Sequence, residues 1–277
     1  MAVLLALSAA LTWGTGDFFG GVAARRGPVL AVAFSSQATG LVVAAAVAPF
    51  LGGEPLGADL AWGLAAGVFG GLGLLTFYRG MATSRIAIVA PVAAIGTAVF
   101  PSVVGLASGD RLSGLEVAGG CTGLVAIWLL SRPAGTDRRG TVVAGLVLGL
   151  LTGIGFGGLL IGLAQLSDDA GFLPLIPTRI AGVAILGAIA LATRRSLRIA
   201  PGVRPPVIAA GSLGIVGNGV FILAAREGPL ALIAVLASLF PAATVILARV
   251  VLHEHLSPQR VAGIAAALSA VALISAG

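Results

Sequence analysis

The chain has 277 residues, 58% of them hydrophobic and only 9% charged, with 16 basic against 10 acidic side chains and a net charge of +6. Soluble globular domains carry about 25% charged residues, so this composition, with a mean hydropathy of +1.11, excludes that class and leaves no length for a soluble catalytic domain. The basic residues are arginines placed between apolar runs, a pattern that fits orientation in a bilayer and argues against nucleic acid as a partner.

A helix of about 20 apolar residues spans the hydrocarbon core. Taken in chain order, the first such run is 2–24, which carries Trp13 and Asp17. It lacks a basic start, and its apolar length exceeds the roughly 7 to 15 residues of a cleaved signal segment, so it reads as a span. Runs 29–51, with Gln37, and 58–81, with Phe77 and Tyr78, follow. The glycine-rich stretch 67–73 has no Gly-Lys-Ser/Thr signature, so it reads as helix packing and not as a nucleotide loop. Run 86–108 contains Pro91 and Pro101, and run 112–131 contains Cys121, the single cysteine, which rules out an intrachain disulfide. The second half supplies 141–166, with Thr152 and Gln165; 171–193, with Arg179; 206–225, with Asn218 and Phe221; 230–252, with Ser238 and Pro241; and 261–276. The runs are continuous, without the alternation of a barrel strand, so they are helices. The sequence therefore predicts an all-α membrane protein of ten transmembrane helices joined by short loops.

Arginines other than Arg111, Arg179 and Arg226 all fall in or beside alternate breaks, counted from Arg25-Arg26 onward, and the intervening breaks hold Glu54, Asp59, Asp110, Asp168, Asp169 and Glu227. By the positive-inside rule the arginine-rich side is cytoplasmic. With an even number of spans, both termini are expected outside a cell membrane.

Shifting the chain by 144 positions places Ala65-Ala66-Gly67 on Ala209-Ala210-Gly211, Gly70 on Gly214, Gly73 on Gly217, Phe77 on Phe221, Leu112-Ser113 on Leu256-Ser257 and Val117-Ala118-Gly119 on Val261-Ala262-Gly263. Related shifts place Thr12 on Thr152 and Ser36-Gln37 on Thr178-Arg179. The expected organisation is two five-helix units, 1–135 and 141–277. An odd number of spans per unit makes the second enter the membrane from the opposite side, the inverted-repeat plan of many secondary transporters, with a central cavity at the repeat interface. A non-transporting scaffold, a channel and a membrane-embedded enzyme are the competing readings. The enzyme would need convergent carboxylates, histidines or a metal cluster, which the scattered acidic residues do not supply.

Trp13-Gly14-Thr15-Gly16-Asp17-Phe18 with the following Arg25-Arg26, together with Gly109-Asp110-Arg111-Leu112 and His253-Glu254-His255-Leu256 before the last span of each half, resemble EamA-type members of the drug/metabolite transporter superfamily. The resemblance covers essentially the whole chain. It departs from the family's Gly-Glu-Arg-Leu-like turn at Asp110 and His253. It implies a bundle around a central cavity and a carrier of metabolites, amino acids or drugs, often an exporter. From the residues themselves, no cofactor and no metal are expected.

Candidate substrate-binding or coupling residues are Trp13, Asp17, Gln37, Phe77, Tyr78, Gln165, Arg179, Asn218, Phe221 and Ser238. Asp17 lies about 12 Å along its helix from Arg25, and an aspartate at mid-span costs roughly 2.5 to 3.5 kcal/mol to insert. It is a proton carrier, a partner for a cationic substrate, or a structural carboxylate. Arg179 keeps its charge and needs an anion, carbonyls or water. It can bind a substrate carboxylate, pair with Asp17, or snorkel toward Asp168 and Asp169, which is the leading expectation. Polar side chains inside spans, such as Asn218 and Ser238, are more often interhelical glue than ligands. Pro91, Pro101 and Pro241 bend helices and suit either gating or a fixed kink. His253-Glu254-His255 reads as a loop at a helix end, since its spacing matches no zinc motif.

Overall fold

A computed structural model describes residues 1–82, 86–130, 139–240, 242–243, 247 and 258–276. Among them there is no strand. The helices are α1 (Ala2–Ala24), α2 (Val29–Val47), α3 (Gly57–Ala82), α4 (Ile86–Ala107), α5 (Gly114–Leu130), α6 (Arg139–Ala164), α7 (Leu175–Ala192), α8 (Arg204–Arg226), α9 (Leu230–Ala237) and α10 (Pro258–Ala276). Six helical stretches among the described residues are long and apolar enough to cross a membrane: Ala2–Ala24, Val29–Phe50, Gly57–Ala82, Val143–Ala164, Leu175–Ala192 and Pro201–Arg226. Val92–Ala107, Gly114–Leu129 and Val261–Ala270 are shorter apolar helices. Large apolar side chains such as Leu4, Val42, Phe69, Val103, Leu150 and Leu268 stay exposed on the outside of the bundle, as expected where lipid replaces water as the solvent.

The helices pair across the two halves of the chain. α1 packs on α8 and α6 on α3, α2 packs on α8 and α7 on α3, α4 packs on α6 and α9 on α1, while α5 packs on α10. Close contacts fix the running directions. Trp13 and Gly16 of α1 meet Gly217 and Leu213 of α8, so that pair is antiparallel; so are α3 and α6, where Ala66, Gly70 and Gly73 meet Gly162, Leu159 and Phe156. α3 and α7 run parallel, with Gly63, Gly67 and Gly71 against Pro174, Thr178 and Gly182. α4 and α6 are also parallel, since Val92, Gly96 and Phe100 face Gly149, Gly153 and Gly157. Such close approach of small residues provides dispersion contact where lipid supplies no hydrophobic drive.

The run expected to continue through 230–252 is interrupted. α9 stops at Ala237, and the chain turns through Ser238 and Leu239 before helical geometry reappears at Phe240. The Leu239 N–H then bonds the Leu236 carbonyl at 3.1 Å, a tighter spacing than the α-helical one. Sequence contributes to the stop. An α-helix would need the N–H of residue 241 to bond the Ala237 carbonyl, and residue 241 is proline, which has none. Pro241 itself lies outside the described residues.

One end of the bundle is tied by a polar cluster. The buried Asp59, in the first turn of α3, accepts hydrogen bonds from the Leu56 N–H (2.8 Å), the Ser167 N–H (2.7 Å) and the Ser167 hydroxyl (2.9 Å). The Arg226 guanidinium at the end of α8 donates to the Ser167 carbonyl at 2.9 Å and approaches Asp168 at 3.5 Å. Glu54 N–H bonds the Asp169 carbonyl at 2.7 Å. Asp59 thus joins the α2–α3 and α6–α7 connections. Asp59→Ala leaves these donors without an acceptor, at about 1 to 3 kcal/mol for each buried one. We expect a clearly lower thermal unfolding midpoint in detergent; an unchanged midpoint would show that the cluster contributes nothing.

Candidate functional site

Where the cross-half helices converge they leave a cavity of about 80 Å³, below the roughly 300 to 1,000 Å³ of sites that hold drug-sized ligands. Trp13 and Asp17, one turn apart on α1, share the face that lines it. α2 contributes Ser36 and Gln37, α3 Tyr78, α7 Thr178 and Arg179, and α8 Asn218. Every one of these side chains sits on a helix packed against the opposite half of the chain, so the cavity belongs to neither half alone.

Trp13 Nε1 donates to Asn218 Oδ1 at 3.1 Å and to the Gly214 carbonyl at 3.3 Å. Its ring lies 5.6 Å from that of Phe221. Tyr78 is almost wholly buried, and its hydroxyl end rests on Gly20 of α1, where a Cβ would come within 2.0 Å of it. A glycine at position 20 is therefore what lets the phenol cross from α3 to α1, one turn beyond Asp17. Tyr78 interacts electrostatically with both Asp17 and Arg179.

Arg179 does not snorkel. It is 7% exposed and donates through Nη1 to Gln37 Oε1. Gln37 offers it an acceptor inside the bundle. Arg179 Nε is buried without a hydrogen-bond partner among the described residues, and the buried Ser36 hydroxyl has the Tyr78 hydroxyl beside it. No ion pair joins Arg179 to Asp17, and no hydrogen bond from a described residue reaches the half-buried Asp17 carboxyl.

The structure brings Trp13, Asp17, Gln37, Tyr78, Arg179 and Asn218 together around one space. Phe77 and Phe221 are buried behind it, Phe77 with its ring 5.7 Å from Phe156 and 6.4 Å from Phe240, both of which line the cavity. Ser238 is fully buried at the end of α9, away from the cavity lining. Gln165 lies exposed in the turn after α6. Pro101 is buried within α4. Pro91 falls in α4 but its side chain is outside the described residues, as are Pro241 and His253-Glu254-His255 entirely. Ser36, Thr97, Thr178 and Phe156 also line the cavity, and sequence reasoning did not single them out as ligands. For Ser36 and Thr178 a signal existed, since they stand beside Gln37 and Arg179 in the repeat alignment. Among the described residues no cluster of three His, Cys, Asp or Glu side chains could hold a metal ion.

The sequence model of the EamA-like transporter family matches residues 1–132 and again residues 142–276. No curated protein matches significantly. Among solved structures, one described only as the crystal structure of a protein superposes with a TM-score of 0.74, over 99% of this chain and 96% of that one, at 18% sequence identity. At that identity the likeness speaks to the fold alone.

Proposed function

The chain belongs to the EamA-like transporter family, within the drug/metabolite transporter superfamily, and from that premise we propose that it is a secondary carrier moving a small organic solute across the cell membrane by alternating access. The family is one of multi-pass membrane transporters and not of enzymes. The observation that carries the proposal is the shared cavity, walled by α1, α2, α3 and α4 from one half and α6, α7 and α8 from the other. A site at a repeat interface becomes accessible to either side when the halves exchange conformations.

We read the chain as ten transmembrane helices in two inverted units, 1–135 and 141–277. The contacts support inversion. α3 runs parallel to α7 and antiparallel to α6, and α6 runs parallel to α4, so α6 and α7 each oppose the direction expected of a same-way repeat of α1 and α2. The arginine-rich loops are placed in the cytoplasm and both termini outside. In a Cys121→Ala background, an impermeant maleimide should label Glu54→Cys in intact cells and Arg198→Cys only after lysis; the reverse pattern would invert the orientation. Both positions are exposed in loops.

Asp17 suits proton coupling or recognition of a cationic group, and Arg179 with Gln37 suits recognition of an anionic one. A thermal-unfolding screen of the purified protein against amino acids, nucleosides, sugars and cationic drugs tests the binding function. A true ligand at 100 times its Kd stabilises by about 2.7 kcal/mol, and the shift should shrink in Arg179→Gln or Asp17→Asn. A screen in which no solute class stabilises the protein would count against a binding cavity.

A further inference from the structure

A second cavity, of about 400 Å³, lies between α4, α5 and α9, away from the central one. Its walls include Val103 and Leu106 of α4, Val117 and Leu124 of α5 and Val235 of α9, and Val103, Leu106 and Val117 are exposed on the lipid side of the bundle. Gly123 lets α5 approach Val235, whereas beside Gly120 the space is open, with nothing within 4 Å of a would-be Cβ. The polar side chains Ser102 and Glu116 on its walls are already engaged. The Ser102 hydroxyl stands 2.7 Å from the Ala98 carbonyl and 2.8 Å from that of Ala231, so its proton has an acceptor. Glu116 Oε2 accepts the Ser113 N–H at 2.7 Å, and the Ser113 hydroxyl accepts the Glu116 N–H at 3.1 Å, a capping box that ties the carboxylate to the start of its own helix. A hollow with so little polar capacity suits an apolar occupant. Beside it stands a free cation. Arg111 immediately precedes Leu112 of the groove wall, is exposed, and makes no ion pair with Asp110 or Glu116. The Asp110 carboxylate instead accepts the Ala231 N–H of α9 at 3.0 Å.

From these features we propose that the groove is a phospholipid site: one acyl chain lies between α4, α5 and α9, and the phosphate meets Arg111. The dimensions agree. Glu116 to Leu124 is about 12 Å along α5, most of the roughly 15 Å of hydrocarbon in one leaflet, and Arg111 stands beyond the Glu116 end, where a headgroup belongs. Left empty, the walls would forfeit dispersion contact. A flexible acyl chain can enter a narrow groove, whereas a helix of a second copy, about 10 to 12 Å across with its side chains, can only cover it. A guanidinium matches a phosphate through paired hydrogen bonds, and that charge gives the lipid a fixed end that an ordinary neighbour in the bilayer lacks. The site lies outside the central cavity and does not depend on the transport cycle.

The test titrates the purified, delipidated full chain in detergent with dioleoyl phosphatidylglycerol, and with dioleoylglycerol as the probe that keeps the chains and lacks the phosphate. Bound lipid is counted by native mass spectrometry, and occupancy of the groove is read from alkylation of Cys121, the single cysteine, which is exposed and lines it. Phosphatidylglycerol should bind saturably and slow alkylation by about tenfold. Dioleoylglycerol should bind about tenfold more weakly, as should phosphatidylglycerol to Arg111→Gln, because a hydrogen bond to a charged group carries at least that factor. Gly120→Phe fills the open space and should abolish the saturable binding, whereas Val42→Phe, on the exposed face of α2, should leave it unchanged. The two wild-type titrations stand even where a variant fails to fold. Alkylation indifferent to phosphatidylglycerol would overturn the proposal, as would equal affinity for the two probes or undiminished binding to Gly120→Phe. A two-chain mass with Cys121 shielded in the absence of lipid would also overturn it, by showing that a second copy covers the groove.

Discussion

Asp17→Asn should slow solute exchange in proteoliposomes by about tenfold or more while leaving the protein at least as stable. A hydrogen bond to a charged group is worth about 1.5 to 3 kcal/mol, and a loss of 1.4 kcal/mol already corresponds to a factor of ten. The direction of the stability change separates function from structure. Inserting an aspartate at mid-span costs roughly 2.5 to 3.5 kcal/mol, and within the described residues the Asp17 carboxyl has no ion pair or hydrogen bond to lose. Asparagine keeps the shape and lowers the insertion penalty, because its amide is polar but carries no charge. A lower rate with an equal or higher thermal midpoint therefore marks a carboxyl retained for its work on the solute. An unchanged rate and pH dependence with a lower midpoint would make it a structural group and take it out of the transport cycle.

Gly155→Leu should prevent assembly of the bundle. A Cβ on Gly155 would stand 2.5 Å from Gly73 Cα and 2.7 Å from Gly73 N, at the crossing of α6 and α3. These are backbone atoms, so no side chain can swing aside and the helices themselves must separate. Overpacking in a core typically costs about 1 to 3 kcal/mol when side chains can shift; here relief means parting two helices that carry the cavity wall at Phe156 and Leu74. The expected result is loss of the monodisperse peak in fluorescence-detected size exclusion. Gly120→Leu on α5 is the control, because nothing lies within 4 Å of its would-be Cβ, and it should elute as the wild type does. Normal elution and a normal midpoint for Gly155→Leu would show that the α3–α6 crossing is looser than its geometry.

The helical elements were legible because hydrocarbon thickness imposes a length on every apolar run, and short loops bounded each run clearly. The interruption of α9 was less so. A proline in an apolar run announces a bend, but whether the helix curves or stops depends on neighbours; at Ser238 the chain turns, whereas α4 stays helical from Ile86 to Ala107 despite Pro91 and Pro101. Side chains in the cavity were legible where polarity is expensive: Asp17, Gln37 and Arg179 stand out in apolar surroundings. Gln165 shows the limit of that signal, since a polar residue near the end of a run reads the same as one at its centre, and here it lies exposed in a turn. The inward turn of Arg179 was not legible, because it depends on the Gln37 acceptor more than 140 positions away. Nor was the Asp59 cluster, whose partners come from two connections and from the end of α8, which sequence places apart.

Exchange across a sealed bilayer tests the carrier claim most directly. Proteoliposomes are loaded with an excess of whichever unlabelled solute stabilises the purified protein, then diluted into a trace of the same solute carrying a label. A carrier whose two halves alternate around one site should accumulate label transiently above the outside concentration, with an initial rate that saturates. Label that enters only down its own gradient, linearly with concentration and indifferent to the internal load, would contradict alternating access.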